Sequence, residues 1–498
     1  MLKKTLYNSF FINTSIIILS GFIIKILGLL NKILITRYLG TEGMSLYIIS
    51  FPTIILFLNI STLNINNTIS KIISEINITK EYSPKKIITT SLKLTLLSSL
   101  VTIIILLIII KPLTAVFLKN DLLLFPLLTT ILLIPLTAIS DTLKGYYNGL
   151  KQITKSTLAN IIEQVTRIIF VLFVFFFFDS SNYVTTTTLI LLALSFGELC
   201  SVIYLIFKIR KITFYEYPQS NNPTKKILSL ALPSTFSKLI GSFTYFLEPI
   251  IYTWILSFLS YQAIDIQKTY TIINAYTIPL LTTASFISAA LSTTIIPSIS
   301  ENYASKNEKN IKYLIDKVLI FCLVPSLLIT LLLFYYPTEY MNLIYATNEG
   351  TNFIKPFVFL FLFYYLHMPF MSILHAIGKT KTQFWISTFF SCIRLILIII
   401  LSLIPEIGLN SIFYSVIITM LLNSLITILI VCRYTKYQIN FKILFTLFLI
   451  TIITYFILIL FDKIFNNYLI VSIICLFIYL FLCYSFDLIK IKSLRNNS

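Results

Sequence analysis

Eight ionisable side chains stand inside long apolar stretches, where a cation can hold an anion that its neighbours would reject. They are Lys25, Lys32, Glu163, Arg167, Glu198, Lys238, Glu248 and Arg394. A charge at the centre of a membrane helix costs roughly 2.5–3.5 kcal/mol on insertion scales, so each needs a partner, a wet cavity or a route to an interface. Lys25 lies in GFIIKILGLLNK between Gly21 and Gly28, which allow close helix approach. It is placed to line a cavity as a cation; the competing explanation, snorkelling to an interface, is harder from mid-span. For Lys32, nearer the outer end, both explanations stay open. Lys238 and Glu248 share LPSTFSKLIGSFTYFLEPIIYTW, a stretch interrupted by Pro233, Gly241 and Pro249. Ten residues separate them, ~15 Å along a continuous helix, so they cannot pair unless it bends sharply. Lys238 is read as a substrate or gating cation and Glu248 as a gating or counter-ion site.

Glu163 and Arg167 are four apart, acid first, which is the favoured order for a pair on one helical face. They are expected to be structural. Arg394, in the matching place of the second half, has no such acid and is a gating or ion-coupling candidate. Glu198 beside Gly197 is either a hydrogen-bonded neutral acid or a group for ion coupling. A polar run follows, with Asn59, Ser61, Thr62, Asn64, Asn66, Asn67 and Thr68; it either lines a hydrated cavity or marks a helix end. His367 and His375 read as structural. No Walker loop, HExxH or nucleophile elbow occurs, so transport powered by the chain's own ATP hydrolysis is not supported. The six cysteines sit singly without CxxC spacing, which supports neither a metal site nor a disulfide framework. No cofactor, metal or enzymatic activity is expected.

These side chains are positioned by helices in lipid. The 498 residues are 57% hydrophobic but only 11% charged, against about a quarter charged in soluble domains. Hydropathy divides the chain into about fourteen spans: 9–37, 44–68, 87–110, 122–144, 157–178, 185–207, 227–256, 269–296, 313–336, 355–376, 383–404, 409–432, 442–461 and 468–486. The fold class is all-α and polytopic. The net charge of +19 suggests a nucleic-acid binder until the Lys and Arg are placed. With Lys3, Lys4 and the N-terminus in the cytoplasm, inside loops receive twenty-seven and outside loops six, namely Arg37, Lys111, Lys119, Lys268, Lys355 and Lys463. That is the positive-inside pattern, with both termini cytoplasmic. No nucleic-acid partner is expected, and Lys144 falls in an inside loop on this count.

The chain also resembles itself at a spacing of 227 residues: Pro52 answers Pro279, SKIISE answers PSISE, and Arg167 answers Arg394. Two six-helix halves with even crossings share one orientation, and such a plan puts a substrate between them near the midplane. The expected division is an N-lobe over 1–210, a cytoplasmic linker over 211–226, a C-lobe over 227–434, and two further helices with a tail over 435–498.

The segment GFIIKILGLLNKILITRYLGTEGMSLYIISFPTIILFLNISTLNINNTISKIISE and the later GYYNGLKQITKSTLANIIEQVTRIIFVL resemble the stage V sporulation protein B and MurJ-type flippases. These form part of the multidrug/oligosaccharidyl-lipid/polysaccharide exporter superfamily. The resemblance covers essentially the whole chain. It implies movement of an undecaprenyl-diphosphate-linked cell-wall precursor, similar to lipid II, from the inner to the outer leaflet of a bacterial plasma membrane by alternating access. It implies a cationic cavity formed by helices one, two, seven and eight, in which Lys25 takes the family's basic position on helix one. A second basic position falls on Asn31 with Lys32 adjacent. The arginine on helix two of MurJ proper has no match near Asn59, which favours the sporulation branch. Lys25, Lys32, Asn31, Lys238, Asn59 and Asn64 are the substrate-binding candidates. The expected partners are the lipid-linked anionic glycan, membrane lipids, and a coupling cation or the membrane potential, with the chain acting as a monomer. The competing classes are an exporter of another lipid-linked glycan, a cation-coupled multidrug exporter, and a membrane glycosyltransferase or polymerase.

Overall fold

A computed structural model describes residues 2–79, 81–178, 182–209, 222–465, 467–486 and 488, with the side chains of 2–20, 22, 77–79, 293 and 294 excepted. Most of the linker expected at 211–226, the tail beyond 488, and the side chains of Lys3 and Lys4 lie outside the described residues. All longer regular elements among the described residues are helices, because in lipid every backbone polar group must be satisfied within its own segment. The first, α1 (Leu2–Thr62), carries a turn at Gly40 with φ 63° and ψ −167°. A residue with a Cβ would be strained there, so the yLGteG sequence divides what is otherwise one run.

After α1 come α2 (Ile65–Thr79), α3 (Pro84–Pro112), a short α4 (Leu124–Leu128), α5 (Thr130–Gly149), α6 (Ile153–Phe177), α7 (Tyr183–Ile209) and α8 (Thr224–Phe258). Then follow α9 (Ala263–Thr271), α10 (Ile278–Leu281), α11 (Ser285–Ala304), α12 (Glu308–Tyr335), α13 (Pro337–Tyr345), α14 (Ile354–Phe357), α15 (Phe361–Ala376), α16 (Thr380–Ser402), α17 (Ser411–Thr435), α18 (Phe441–Ile464) and α19 (Tyr468–Ser485). Among the described residues twelve helices are long and apolar enough to cross a membrane, thirteen when the bent pair Ala263–Leu281 and Ser285–Ser292 counts as one. The sequence reading of about fourteen differs at Ile23–Ile76, which is one 54-residue run by this measure and contains the turn at Gly40.

The chain packs as two units. The first is Met1–Thr271 with Leu395–Ile412, and the second is Ile272–Arg394 with Phe413–Ser498. In the first, α5, α6 and α7 pack on one another, α1 lies over α5, α6, α7 and α8, and α2 runs along α5. In the second, α11 lies along α15, α12 packs on α15 and α18, and α18 pairs with α19. Tyr335 donates to Asp462 Oδ2 at 3.0 Å and Tyr336 to Asp462 Oδ1, fixing α18 to α12.

The polar run at 59–68 marks a helix break, and Thr282 and Thr283 stand at another. Between α1 and α2, Leu63 and Asn64 take left-handed conformations, φ 49° and 47°, and the helical hydrogen bonds lapse. Side chains replace them in part: Ser98 of α3 donates to the Ile60 carbonyl at 3.1 Å and Ser61 to the Leu58 carbonyl at 3.0 Å, while Asn67 Nδ2 donates to the side-chain Oδ1 of Asn64 at 3.1 Å. In the second unit the chain bends by 64° around 282–284. There Thr282 donates to the Ile278 carbonyl at 2.9 Å, Thr283 to that of Leu280 and Tyr365 to that of Leu281. Broken helices at membrane depth persist when neighbours satisfy the freed groups in this way.

GYYNG, at the end of α5, is a small-xxx-small face that admits another backbone. A Cβ built on Gly145 would stand 2.6 Å from the Asn66 carbonyl oxygen, and one on Gly149 would stand 2.9 Å from that of Ser70. Gly241 in α8 has nothing within 4 Å of the same point. Gly145→Ala should therefore destabilise the chain by about 1–3 kcal/mol through overpacking. Gly241→Ala should be neutral or stabilising by up to about 1 kcal/mol, since alanine is the better helix former. Thermal midpoints of the two purified variants check this, and equal effects would show that the α2–α5 contact is not tight.

Candidate functional site

The candidate cations fall on two helices that pack together, α1 and α8. Lys25 and Lys238 are exposed and Lys32 is partly buried, all three within helices apolar enough to span a membrane. Among the described residues no acidic side chain pairs with any of them. Asn31 is buried to 6% exposure, and its Oδ1 lacks a hydrogen-bond partner. Gly28, one turn beyond Lys25, approaches Gln164 of α6, so the basic stretch of α1 runs beside α6. Asn59 lies in the last turn of α1 and Asn64 in the break that follows, both partly buried. The α8 helix stays continuous through Pro233 and Pro249, which leaves Lys238 and Glu248 too far apart to pair. Glu248 is buried, Arg394 of the second unit is partly so and lies near Tyr364, and neither is without an interaction partner.

A second constellation was only half legible in sequence. Arg167 Nη2 and Glu163 Oε1 are 2.6 Å apart, the intrahelical pair expected. The pair is not self-contained, however, because Lys144 Nζ lies 3.1 Å from Glu163 Oε2 and 3.8 Å from Glu198 Oε2. The assignment of Lys144 to a cytoplasmic loop is thus corrected: it is a residue of α5, 6% exposed. The helical period of TILLIPLTAISDTLKGYYNG runs past Lys144 to Gly149, and two glutamates on neighbouring helices meet the cost of burying it. Asp141, one turn earlier, was not singled out at all. It accepts from Asn66 Nδ2 at 3.4 Å, and Asn66 Oδ1 accepts from Asn148 at 3.2 Å.

Local backbone packing explains why these groups converge. A Cβ on Gly197 would lie 2.8 Å from the Glu163 carbonyl, so α6 and α7 touch at the level where Glu163 and Glu198 emerge. Glu163 stands ten residues inside α6 and Glu198 eleven from the end of α7, ~15 Å or more from the helix ends. The cluster is therefore deep, and its charges are weakly screened there. Gly197→Val should cost about 1–3 kcal/mol by forcing these backbones apart. The readout is a lower thermal midpoint with the α1 and α8 lysines untouched, and an unchanged midpoint would show slack at that contact.

Two cavities lie elsewhere in the first unit. One, of about 750 Å³, is polar and sits by the Gly40 turn, lined by Thr41, Glu42, Ser45, Lys119, Asn120, Tyr183, Gln267 and Lys268 among others. The other, of about 590 Å³, is apolar, with Phe117, Trp254, Phe258, Ile399 and Leu403 on its walls. No candidate site residue lines either.

Comparison with known proteins follows the same lines. The model of the family described as polysaccharide biosynthesis protein matches residues 10–303, and that described as MatE matches 242–400. The stage V sporulation protein B of Bacillus subtilis (strain 168) is 27% identical over 451 residues, 89% of this chain and 86% of that protein. The lipid II flippase MurJ of the same organism is 22% identical, covering 74% of this chain and 73% of its own length. Among solved structures, lipid II flippase MurJ in an inward closed conformation superposes with TM-score 0.68 at 19% identity, covering 95% of this chain and 99% of that one. An inward-facing multidrug resistance MATE family transporter gives TM-score 0.60 at 13% identity, over 83% and 94%. At these identities the structural likeness shows the fold, a multi-pass membrane transporter architecture. Of these proteins, MurJ is named a flippase and the MATE family member a transporter.

Proposed function

Because the chain belongs to the polysaccharide biosynthesis protein family, we propose that it is a flippase for an undecaprenyl-diphosphate-linked cell-wall precursor, similar to lipid II, carried from the inner to the outer leaflet by alternating access. The observation that carries this reading is the set of lysines at 25, 32 and 238. They stand on two packed apolar helices, and among the described residues no acid forms an ion pair with them. Uncompensated cations at membrane depth are retained where a substrate supplies the missing charge, and a diphosphate accepts several charge-assisted hydrogen bonds from ammonium groups. Lys25, Lys32 and Lys238 hold the diphosphate in this reading, with Asn31, Asn59 and Asn64 presenting amides to its sugar or phosphate oxygens. Glu198, Glu248 and Arg394 serve gating or coupling, and a cation gradient or the membrane potential drives the cycle.

We further read the chain as an N-lobe over 1–210, a linker over 211–226, a C-lobe over 227–434 and two appended helices, with both termini cytoplasmic and the chain acting as a monomer. The likeness to stage V sporulation protein B supports a role in spore cortex or wall peptidoglycan. The deciding experiment is complementation of a strain depleted of its lipid II flippase. The chain should restore growth and outer-leaflet exposure of lipid II. Full insertion in the membrane without either would remove lipid II as the substrate and leave export of another lipid-linked glycan.

A further inference from the structure

The polar cavity of about 750 Å³ beside the Gly40 turn is walled by four parts of the first unit. They are α1 just past that turn, the link between α3 and α4, the first residue of α7, and α9. These walls are tied to one another. Asn120 Oδ1 accepts from the Leu122 amide at 3.0 Å and Asn120 Nδ2 donates to Gln267 Oε1 at 2.8 Å, which joins the α3–α4 link to α9. One turn beyond Tyr183, Thr187 donates to the Gly43 carbonyl at 3.1 Å and joins α7 to α1. The cavity is thus preformed, and its volume falls within the range of about 300–1,000 Å³ usual for small-molecule sites.

The fold leaves polar groups of this cavity unused. Ser45 is 8% exposed, yet its hydroxyl finds no hydrogen-bond partner. Ser50, on the same helix, donates back to the Leu46 carbonyl at 2.7 Å, the ordinary way a helical hydroxyl is satisfied. A buried unpaired hydroxyl is costly, and a ligand hydroxyl in the cavity would complete its bonding. The bond from Asn120 occupies Gln267 Oε1 and leaves the Nε2 donors without a partner among the described residues. Glu42 and Lys119 are exposed and form no ion pair among the described residues, and Lys268 adds a second exposed cation.

We propose that this cavity binds an anionic saccharide, a sugar ring bearing a carboxylate, and that its occupant is the headgroup of the lipid-linked precursor as it leaves the protein. The chemistry of the walls selects that class. The hydroxyls of Ser45 and Tyr183 both donate and accept, as sugar hydroxyls do, while Gln267 Nε2 only donates and Glu42 only accepts. Leu122 and Ile264, exposed on the wall, offer apolar surface to the C–H face of a ring. Two cations against one acid leave a surplus positive charge, which favours a carboxylate over a neutral sugar. In the orientation proposed above, the connections around the cavity lie on the outer side of the membrane, where a headgroup emerges. The identity of the occupant rests on the flippase reading; the sugar chemistry does not.

The test titrates the full-length protein in detergent calorimetrically with N-acetylmuramic acid, an amino sugar carrying a carboxylate, and with N-acetylglucosamine, the same ring without it. The acidic sugar should bind, and the neutral one about tenfold more weakly, as expected for loss of a hydrogen bond to a charged group. Lys119→Ala should remove most of that difference. Ser45→Ala should weaken binding of the acidic sugar by about threefold to tenfold, while the thermal midpoint without sugar holds or rises, because the lost hydroxyl bonds nothing in the chain. A packing role for Ser45 would do the reverse, lowering the midpoint and leaving binding alone. Ala263→Trp, on the cavity wall, should fill the site, abolish sugar binding and slow the appearance of the precursor at the outer leaflet. No binding by the wild-type chain, equal affinity for the two sugars, or binding unchanged in both Ser45→Ala and Ala263→Trp overturns the site. Lost binding with transport unchanged in Ala263→Trp overturns the headgroup as its occupant. Sugar binding by a chain that fails to complement a flippase-depleted strain retires the flippase reading and that occupant, with the saccharide site intact.

Discussion

Lys238→Ala and Lys25→Ala should each leave the protein folded yet abolish measurable movement of the precursor between leaflets. Both side chains are exposed and bridge no described acid, so their removal breaks no ion pair and opens no cavity. What disappears is a hydrogen bond between charged groups, worth roughly 1.5–3 kcal/mol, or about tenfold to 150-fold in affinity per lysine. Lys25→Arg and Lys238→Arg keep the charge and should retain a substantial part of the activity, although a guanidinium does not reproduce an ammonium's geometry. The measurement is lipid II accessibility at the outer surface in cells that depend on this chain, with membrane levels of each variant checked. Transport at the wild-type rate by both alanine variants would retire the cationic-cavity mechanism.

The opposite signature is expected at Lys144. Replacing it by methionine fills nearly the same volume but leaves Glu163 and Glu198 facing each other beside Asp141 with only Arg167 to compensate. Breaking a buried pair from one side typically costs 3–5 kcal/mol, so Lys144→Met should lower the thermal midpoint sharply and reduce the yield of monodisperse protein. Adding Glu198→Gln should recover part of the loss, because the charge left unpaired is then removed. The double change should therefore be less harmful than the sum of the two singles, as residues in one network are not additive. A midpoint for Lys144→Met within about 0.5 kcal/mol of wild type, the range of inconsequential surface changes, would mean that the network contributes nothing to stability.

Set side by side, the two predictions distinguish two kinds of membrane charge. Lys25 and Lys238 were recognisable because each sits in the middle of an apolar span with no acid within a helical turn. Glu163 and Arg167 were recognisable as a pair because four residues is a helical contact. Lys144 was not, since hydropathy puts a lysine near the end of a span into the adjoining loop. Its two partners are 19 and 54 residues away in sequence, on other helices. Asp141 escaped for the same reason. A usable signal existed in GYYNG, whose two glycines four apart promise a helix packed on a backbone and so extend α5 beyond Lys144. The polar run at 59–68 was open between a wet cavity and a helix end. Its Ser61 hydroxyl and those of Thr282 and Thr283 at the second break are now seen to donate to backbone carbonyls.

The amino-acid sequence alone determined that this is a multi-pass helical membrane protein, where most of its spans lie, and which cations stand within them. Those properties follow from local composition, since transfer into lipid depends on each segment's own side chains. Only the tertiary structure decided that Lys144, Glu163, Arg167 and Glu198 form one network, that Asp141 accepts from Asn66 of α2, and that α2 lies against α5 at Gly145. The energy of a buried charge depends on what other helices bring within a few ångströms, and no spacing along a single chain encodes that distance.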